Sequence, residues 1–321
     1  MAPLSNPSGI ANGLATISMN APSKTLKYLI TGGSGFIGSE LCKQLQGHDV
    51  FVLTRNVNKT KKKFARLAIR HARFITALDD FDEAVDVIIN LAGAGIFDRR
   101  WTQRYKHILL NSRVGTTQAI YHYLKRTGHK PQSFITGSAV GIYGEQSTSA
   151  DESTELGTGF ASELCQQWEQ AAQAIANLGI NTCHLRLGVV TGNGGMLQKT
   201  APSVKFGLGA YFGDGTSYLP WIALQDVIAS IQFLIAYNKQ GIYNIVAPQQ
   251  LTQKQFMDTL ATTMQRTIHF SMPALLLSLL LGQSAKEVLL VSQRIQPQKL
   301  LDEGYPFQYH RLEALLSDLK L

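Results

Sequence analysis

Gly32, Gly35 and Gly38 stand three residues apart, directly after the apolar run Tyr28-Leu29-Ile30 and directly before a stretch with Ile37, Leu41 and Leu45 on one helical face. That arrangement suits a phosphate. A glycine ending a strand lets the chain turn sharply, a second lets backbone N–H groups approach an anion, and a third lets the next helix lie close to the strand. The helix N-terminus adds unspent N–H donors and the positive end of its dipole. With Gly33, Ser34, Phe36 and Ile37 completing the turn, residues 32–38 are expected to hold the pyrophosphate of a dinucleotide.

The residue ending the second strand selects the dinucleotide. An acid there binds a ribose 2′-hydroxyl, and a base accommodates a 2′-phosphate. Val50-Phe51-Val52-Leu53-Thr54 is followed by Arg55, with Lys59 one turn on, so the cofactor expected is NADP(H). The same region explains the charge. Eight basic residues and no acid lie between Arg55 and Arg73, which equals the whole net charge of +8. The basicity is thus a patch beside the cofactor site, of which Lys61 to Lys63 read as a solvated helix start. A nucleic-acid-binding face would spread farther and carry interleaved aromatics, so no nucleic-acid partner is expected.

These residues need a scaffold. Strands are expected at 28–30, 50–54, 73–76, 86–91, 133–136 and 182–187. Helices are expected from about Trp101 to Arg126 and from Phe160 to Leu178, the latter with Phe160, Leu164, Trp168, Ala171 and Ile175 on one face. Alternation of this kind indicates an α/β fold with a Rossmann-type, doubly wound parallel sheet. Residues 25–190 would form the NADP-binding domain. Residues 191–321, glycine-rich at first and with a short strand at Ile242 to Val246, would form a smaller α+β substrate lobe partly interleaved with it.

The 321 residues are 45% hydrophobic and 16% charged, the composition of a globular protein with a substantial core. Residues 1–24 lack acids and read as a disordered leader; a transit peptide or a later start at Met19 are both open. Cys42, Cys165 and Cys183 show no metal-type spacing, which argues against a structural metal and for a reducing compartment such as the cytoplasm. No run is long enough for a membrane span. The closest, Met272 to Gly282, reads as a buried or interface helix in preference to a membrane attachment.

Thr31-Gly32-Gly33-Ser34-Gly35-Phe36-Ile37-Gly38 resembles the fingerprint of extended short-chain dehydrogenases/reductases, and Asn90-Leu91-Ala92-Gly93 resembles their second cofactor-side motif. Arg100-Trp101-Thr102, Lys106, Ser112-Arg113, Ser138 to Gly144, Trp168-Glu169, Trp221-Ile222 and the tail Pro297 to Phe307 are similar to one atypical branch. Its members are the epimerase-family, YfcH-like or cell-division-inhibitor-like proteins, which carry a C-terminal domain of unknown function. The resemblance implies cofactor contacts from residues 32–38, Arg55, Lys59, Leu91, Ala92, Gly93 and Arg113. It also implies an oxidoreductase or epimerase-like enzyme on a small polar substrate, with Ser138 matching the catalytic serine.

The chain departs from the pattern where such enzymes carry a catalytic Tyr and, four residues later, a Lys. The helix expected to hold them begins Phe160-Ala161-Ser162-Glu163-Leu164-Cys165. Tyr143, Glu145 and Glu163 are candidate replacements for the proton donor. The sole Tyr-x-x-x-Lys, Tyr121 to Lys125, lies on the wrong helix. Arg100 could grip a carboxylate or phosphate of the substrate and Trp101 could stack on it, or both could serve an ion pair and packing at the sheet edge. Glu169 and Trp168 read as helix-packing residues and Asp226 as structural. A catalytically silent NADPH-sensing or scaffold protein is the alternative reading.

Overall fold

The computed structural model describes residues 24–319 and 321; apart from Lys24, the expected leader lies outside the described residues. The chain alternates strand and helix through β1 (Lys27–Thr31), α1 (Phe36–Gln44), β2 (Asp49–Leu53), α2 (Val57–Arg66), β3 (Ala72–Ile75), β4 (Val87–Asn90), α3 (Gln103–Leu110) and α4 (Thr116–Thr127). It continues with β5 (Ser133–Ala139), β6 (Gln146–Ala150), α5 (Phe160–Ala176), β7 (Thr182–Leu187), β8 (Val189–Gly192), α6 (Gly195–Lys205), β9 (Ala210–Phe212), β10 (Trp221–Ala223), α7 (Leu224–Ala236) and β11 (Gly241–Ile245).

The central sheet has seven strands in the order β11-β7-β5-β4-β1-β2-β3, all parallel. Order reverses between β1 and β4, which opens the crevice at their carboxyl ends where such sheets take ligands. Both faces are covered, so the strands are apolar without alternation: Leu29, Ile30, Val52, Ile88 and Ile89 are fully buried. Leu41 and Cys42 of α1, Phe64 of α2 and Val227, Ile228 and Ile231 of α7 close one face. Ile120 and Leu124 of α4 and Ala172 and Ile175 of α5 close the other.

Two expectations are corrected. Gly241–Ile245, assigned to the C-terminal lobe, is the seventh strand of the central sheet, paired parallel with β7, so the sheet runs past residue 190. Its fully buried Ile245 supplies the same core as β1 and β7. The single helix expected from Trp101 to Arg126 is broken by a π turn at Asn111–Gly115, flanked by α3 and α4. Such turns redirect side chains and recur at functional sites; this one carries Ser112 and Arg113.

The C-terminal region adds α8 (Gln253–Thr263), β12 (Phe270–Met272), α9 (Ala274–Leu281), β13 (Gln293–Ile295), α10 (Gln298–Asp302) and α11 (Leu312–Leu319). Its core joins Leu197, Trp221, Phe256, Leu260, Leu312, Leu315 and Leu316. Asp226, 1% exposed, ties this region to α7 by accepting the backbone N–H groups of Gln308 and Tyr309 at 2.7 and 3.0 Å and the Tyr305 hydroxyl at 3.3 Å. Of the two expectations for Met272 to Gly282, a buried or an interface helix, α9 is not the buried one: among its leucines only Leu277 is buried. No described helix is long and apolar enough to cross a membrane.

Candidate functional site

Two glycines of the turn have no room for a side chain. Gly32 has φ +69°, and a Cβ on it would lie 2.4 Å from the Leu91 carbonyl oxygen. A Cβ on Gly38 would lie 2.4 Å from the Gly32 carbonyl oxygen, so α1 can sit this close to β1 only with glycine there. The Gly35 N–H donates to the Gly32 oxygen at 2.8 Å. Helix α1 starts at Phe36 with no side-chain cap, which leaves its first N–H groups free for an anion. Lys63 was expected to be solvated. Instead its Nζ donates to the Ser34 and Gly35 carbonyls at 2.8 and 3.1 Å, bracing the turn from α2. Partial burial pushes its pKa below the usual lysine value.

The second wall of the crevice is the loop after β4. The Thr31 hydroxyl donates to Asn90 Oδ1 at 2.6 Å and accepts from the Ala92 N–H at 3.2 Å, joining Ala92 to the end of β1. Asn90 Nδ2 donates to the Thr117 hydroxyl at 2.9 Å. The π turn then grips the loop: Ser112 Oγ accepts from the Ala94 N–H at 2.9 Å, and Arg113 donates to the Ala94 and Leu109 carbonyls at 3.2 and 3.1 Å. The Arg113 guanidinium lies so close to Gly93 that a Cβ there would be 2.9 Å from its Cζ. Its other side faces the Trp168 ring at 5.3 Å. The glycine turn, Leu91 to Gly93 and Arg113 are therefore tied to one another by direct contacts. Arg55 and Lys59 stand exposed at the end of neighbouring β2, where Asn56 caps α2 by accepting the Lys59 N–H at 2.9 Å.

The other end of the crevice is organised by charge. Ser138, 2% exposed at the end of β5, donates its hydroxyl proton to Glu169 Oε1 at 2.6 Å. Arg186 of β7 grips the same carboxylate through Nε and Nη2, both at 2.9 Å. The pair is nearly dry, with the Arg186 side chain 3% and the Glu169 side chain 13% exposed. Burial alone would lower the Arg186 pKa, but Glu169 outweighs it and holds the guanidinium above its usual value. Arg186 Nη1 also donates to the Tyr143 hydroxyl at 2.8 Å. That hydroxyl donates in turn to Asn244 Oδ1 of β11 at 2.7 Å.

This arrangement corrects two expectations. Tyr143 is fully buried, its hydroxyl is committed both as donor and as acceptor, and burial pushes its pKa up. It is held as an internal strut, its hydroxyl proton donated to Asn244. Glu169, read as a packing residue, is the acceptor for Ser138. Of the other candidates, Glu145 and Glu163 are exposed. Trp101 is 8% exposed, spends its indole N–H on the Ile96 carbonyl at 2.9 Å and meets Phe160 edge to face at 5.0 Å, so it packs the loop and is not open for stacking on a ligand. Arg100 is exposed.

The opening turns of α5 supply neither Tyr nor Lys. Ala161 and Cys165 are buried there, and burial pushes the Cys165 thiol up to about 11. Tyr121 and Lys125 lie toward the far end of α4, which runs back to the amino edge of the sheet, away from the crevice. Among the described residues no cluster of metal-ligating side chains occurs.

Comparison with known proteins places the chain. Residues 28–246 match the NAD dependent epimerase/dehydratase family, and residues 272–319 match a domain of unknown function, DUF1731. The chain belongs to the NAD-dependent epimerase/dehydratase family. It is 33% identical over 298 residues to the epimerase family protein YfhF of Bacillus subtilis, covering 90% of this chain and 96% of that protein. The crystal structure of human epimerase family protein SDR39U1 (isoform 2) with NADPH superposes with a TM-score of 0.81 at 25% identity, over 92% of this chain and 99% of that one. A UDP-glucuronic acid 4-epimerase from Bacillus cereus, crystallised with UDP-glucuronic acid and NAD, shares the fold alone: TM-score 0.73 at 19% identity, over 92% and 98% of the two chains.

Within this family framework, the sequence carried two unread signals. Arg186 is a charged residue inside the buried strand Thr182–Leu187, and a buried charge requires a partner. Glu169, on the sheet-facing half of α5, is that partner. Lys63 had no such signal, since its neighbours are equally basic.

Proposed function

We propose that this family member is an NADP(H)-dependent oxidoreductase, epimerase-like in its chemistry, that acts on a small polar substrate and moves the proton through Ser138 and Glu169. The observation that carries the reading is the Ser138 hydroxyl, aimed at a carboxylate that Arg186 holds by two hydrogen bonds at 2.9 Å. The chain's residues fit the cofactor. The turn at Gly32 to Gly38 depends on close backbone contacts that a Cβ on Gly32 or Gly38 would break, α1 offers uncapped N–H groups, and Arg55 is exposed just past the end of β2, the position that suits a 2′-phosphate. SDR39U1, which was crystallised with NADPH, supports the same choice. Bound NADP(H) would supply or accept a hydride.

Because the Ser138 proton already points at Glu169, the lone pairs of its oxygen remain for a substrate hydroxyl. A proton leaving the substrate oxygen passes to Ser138 Oγ while the serine's own proton passes to Glu169; carbonyl reduction runs the same transfers backward. Arg186 fixes the carboxylate and balances its charge, and Tyr143 positions Arg186. Arg100 is the group that would select an anionic substrate. The three cysteines are free and buried, which supports a reducing compartment, the cytoplasm.

The test is NADPH consumption with a panel of small aldehydes, ketones and nucleotide sugars. Ser138→Ala and Glu169→Gln are each expected to reduce turnover by about a decade or more while NADPH affinity changes little. Tyr121→Phe should leave the rate unchanged. Turnover that survives both site substitutions contradicts the relay. The sealed Tyr143 and the absence of Tyr and Lys at the start of α5 favour a second reading, a silent NADPH-responsive protein, for which tight NADPH binding with no turnover is the signature.

A further inference from the structure

A helix on a globular surface normally hides its leucines, and α9 does not. Its sequence, Ala-Leu-Leu-Leu-Ser-Leu-Leu-Leu, has no charged face, yet Leu275 is 83%, Leu276 45%, Leu279 71% and Leu280 56% exposed. Phe270, on the strand that leads into the helix, is 53% exposed. An apolar patch of this kind on one short helix marks a contact surface.

The helix is bounded by cations. It stops at Gly282, where φ is +68° and a Cβ would lie 3.3 Å from Arg100 Nη2, so the Arg100 guanidinium sits against the helix C-terminus. Arg99 and Arg104 flank Arg100 and are exposed, and Lys286 is exposed one turn beyond the helix. Two acids of this region are held by local contacts. Glu287 accepts the Ala161 N–H at 2.8 Å and an amide N–H from Gln283 at 2.6 Å, and Asp98 folds back on the Gly95 backbone.

We propose that α9 and its arginine flank dock on the surface of an anionic lipid bilayer. The leucines enter the boundary between headgroups and acyl chains, and Arg99, Arg104 and Lys286 meet the phosphates. Eight residues cannot span a bilayer but can lie in its interface. Charge complementarity selects this occupant over a second copy of the chain. Two copies meeting through α9 about a two-fold axis would set the same cationic rim against itself. The inference stands on α9 and its flank and does not depend on the reaction proposed above.

Sedimentation of the full chain with vesicles tests it, using phosphatidylcholine alone and phosphatidylcholine mixed with phosphatidylglycerol. The chain is expected to bind the mixed vesicles, to bind neutral ones at least roughly tenfold more weakly, and to be released by salt. Leu275→Ser with Leu279→Ser should abolish binding, and Arg99→Glu with Arg104→Glu should abolish the preference for anionic lipid. Both variants alter exposed side chains, so unchanged NADPH affinity and melting temperature will show that they fold. No binding to the mixed vesicles, or equal binding to both kinds, would overturn the proposal. So would a dimer in light scattering that the leucine variant dissociates while vesicles are ignored.

Discussion

The two ends of the crevice are built by opposite means. The cofactor end, from Gly32 to Gly38 and Leu91 to Gly93, is made of backbone: glycines that let chain segments approach closely and N–H groups left open at a helix start. The other end, from Ser138 to Arg186, is made of side chains drawn from β5, the turn after it, α5, β7 and β11 and joined by a buried ion pair. Backbone geometry depends on local sequence and tolerates almost no substitution. The charge network depends on partners far apart in the chain, 31 residues for Ser138 and Glu169 and 101 for Tyr143 and Asn244. Under the proposed relay, the chain keeps the family's cofactor end and rebuilds its proton machinery.

The sharpest way to break this contrast is to remove one member of the ion pair. Glu169→Ala leaves the Arg186 guanidinium buried without a counter-charge and is expected to destabilise the fold by about 3–5 kcal/mol. Replacing the pair together, Glu169→Leu with Arg186→Met, should restore most of that stability, because two matched apolar groups need no desolvation. Denaturant unfolding of wild type, Glu169→Ala and the double variant measures both. If Glu169→Ala is silent, the network is not the framework of that end.

A smaller effect on stability, with a larger one on the cofactor, is expected from Gly38→Ala. The added methyl would press on the Gly32 carbonyl and force α1 away from β1, at about 1–3 kcal/mol. NADPH binding should be lost although the fold survives. Retained affinity in calorimetry would mean that the approach of α1 to β1 is not what forms the phosphate site.

The same contrast explains what could be read in the chain beforehand. The parallel sheet, the glycine turn and the Asn90 to Gly93 loop were legible because each rests on neighbours in sequence: an apolar run, a glycine spacing, a helical period. β11 was misplaced because a short apolar strand says nothing of which sheet it joins; its pairing with β7 is a tertiary choice. The π turn was missed because Asn111 to Gly115 continues the helical pattern on either side. Tyr143 is a candidate proton donor in sequence because its hydroxyl is polar, whereas the commitment of that hydroxyl to Arg186 and Asn244 exists only in space.

The proposed choice of NADP(H) over NAD(H) rests on Arg55. Calorimetric titration of the wild-type chain and of Arg55→Ala with NADPH and with NADH tests it directly. A charge-assisted contact to the 2′-phosphate is worth about 1.5–3 kcal/mol, so the wild type should prefer NADPH by at least roughly tenfold. Arg55→Ala should erase most of that preference and leave NADH affinity unchanged. Equal affinities in the wild type, or a preference that outlives Arg55, would contradict the assignment.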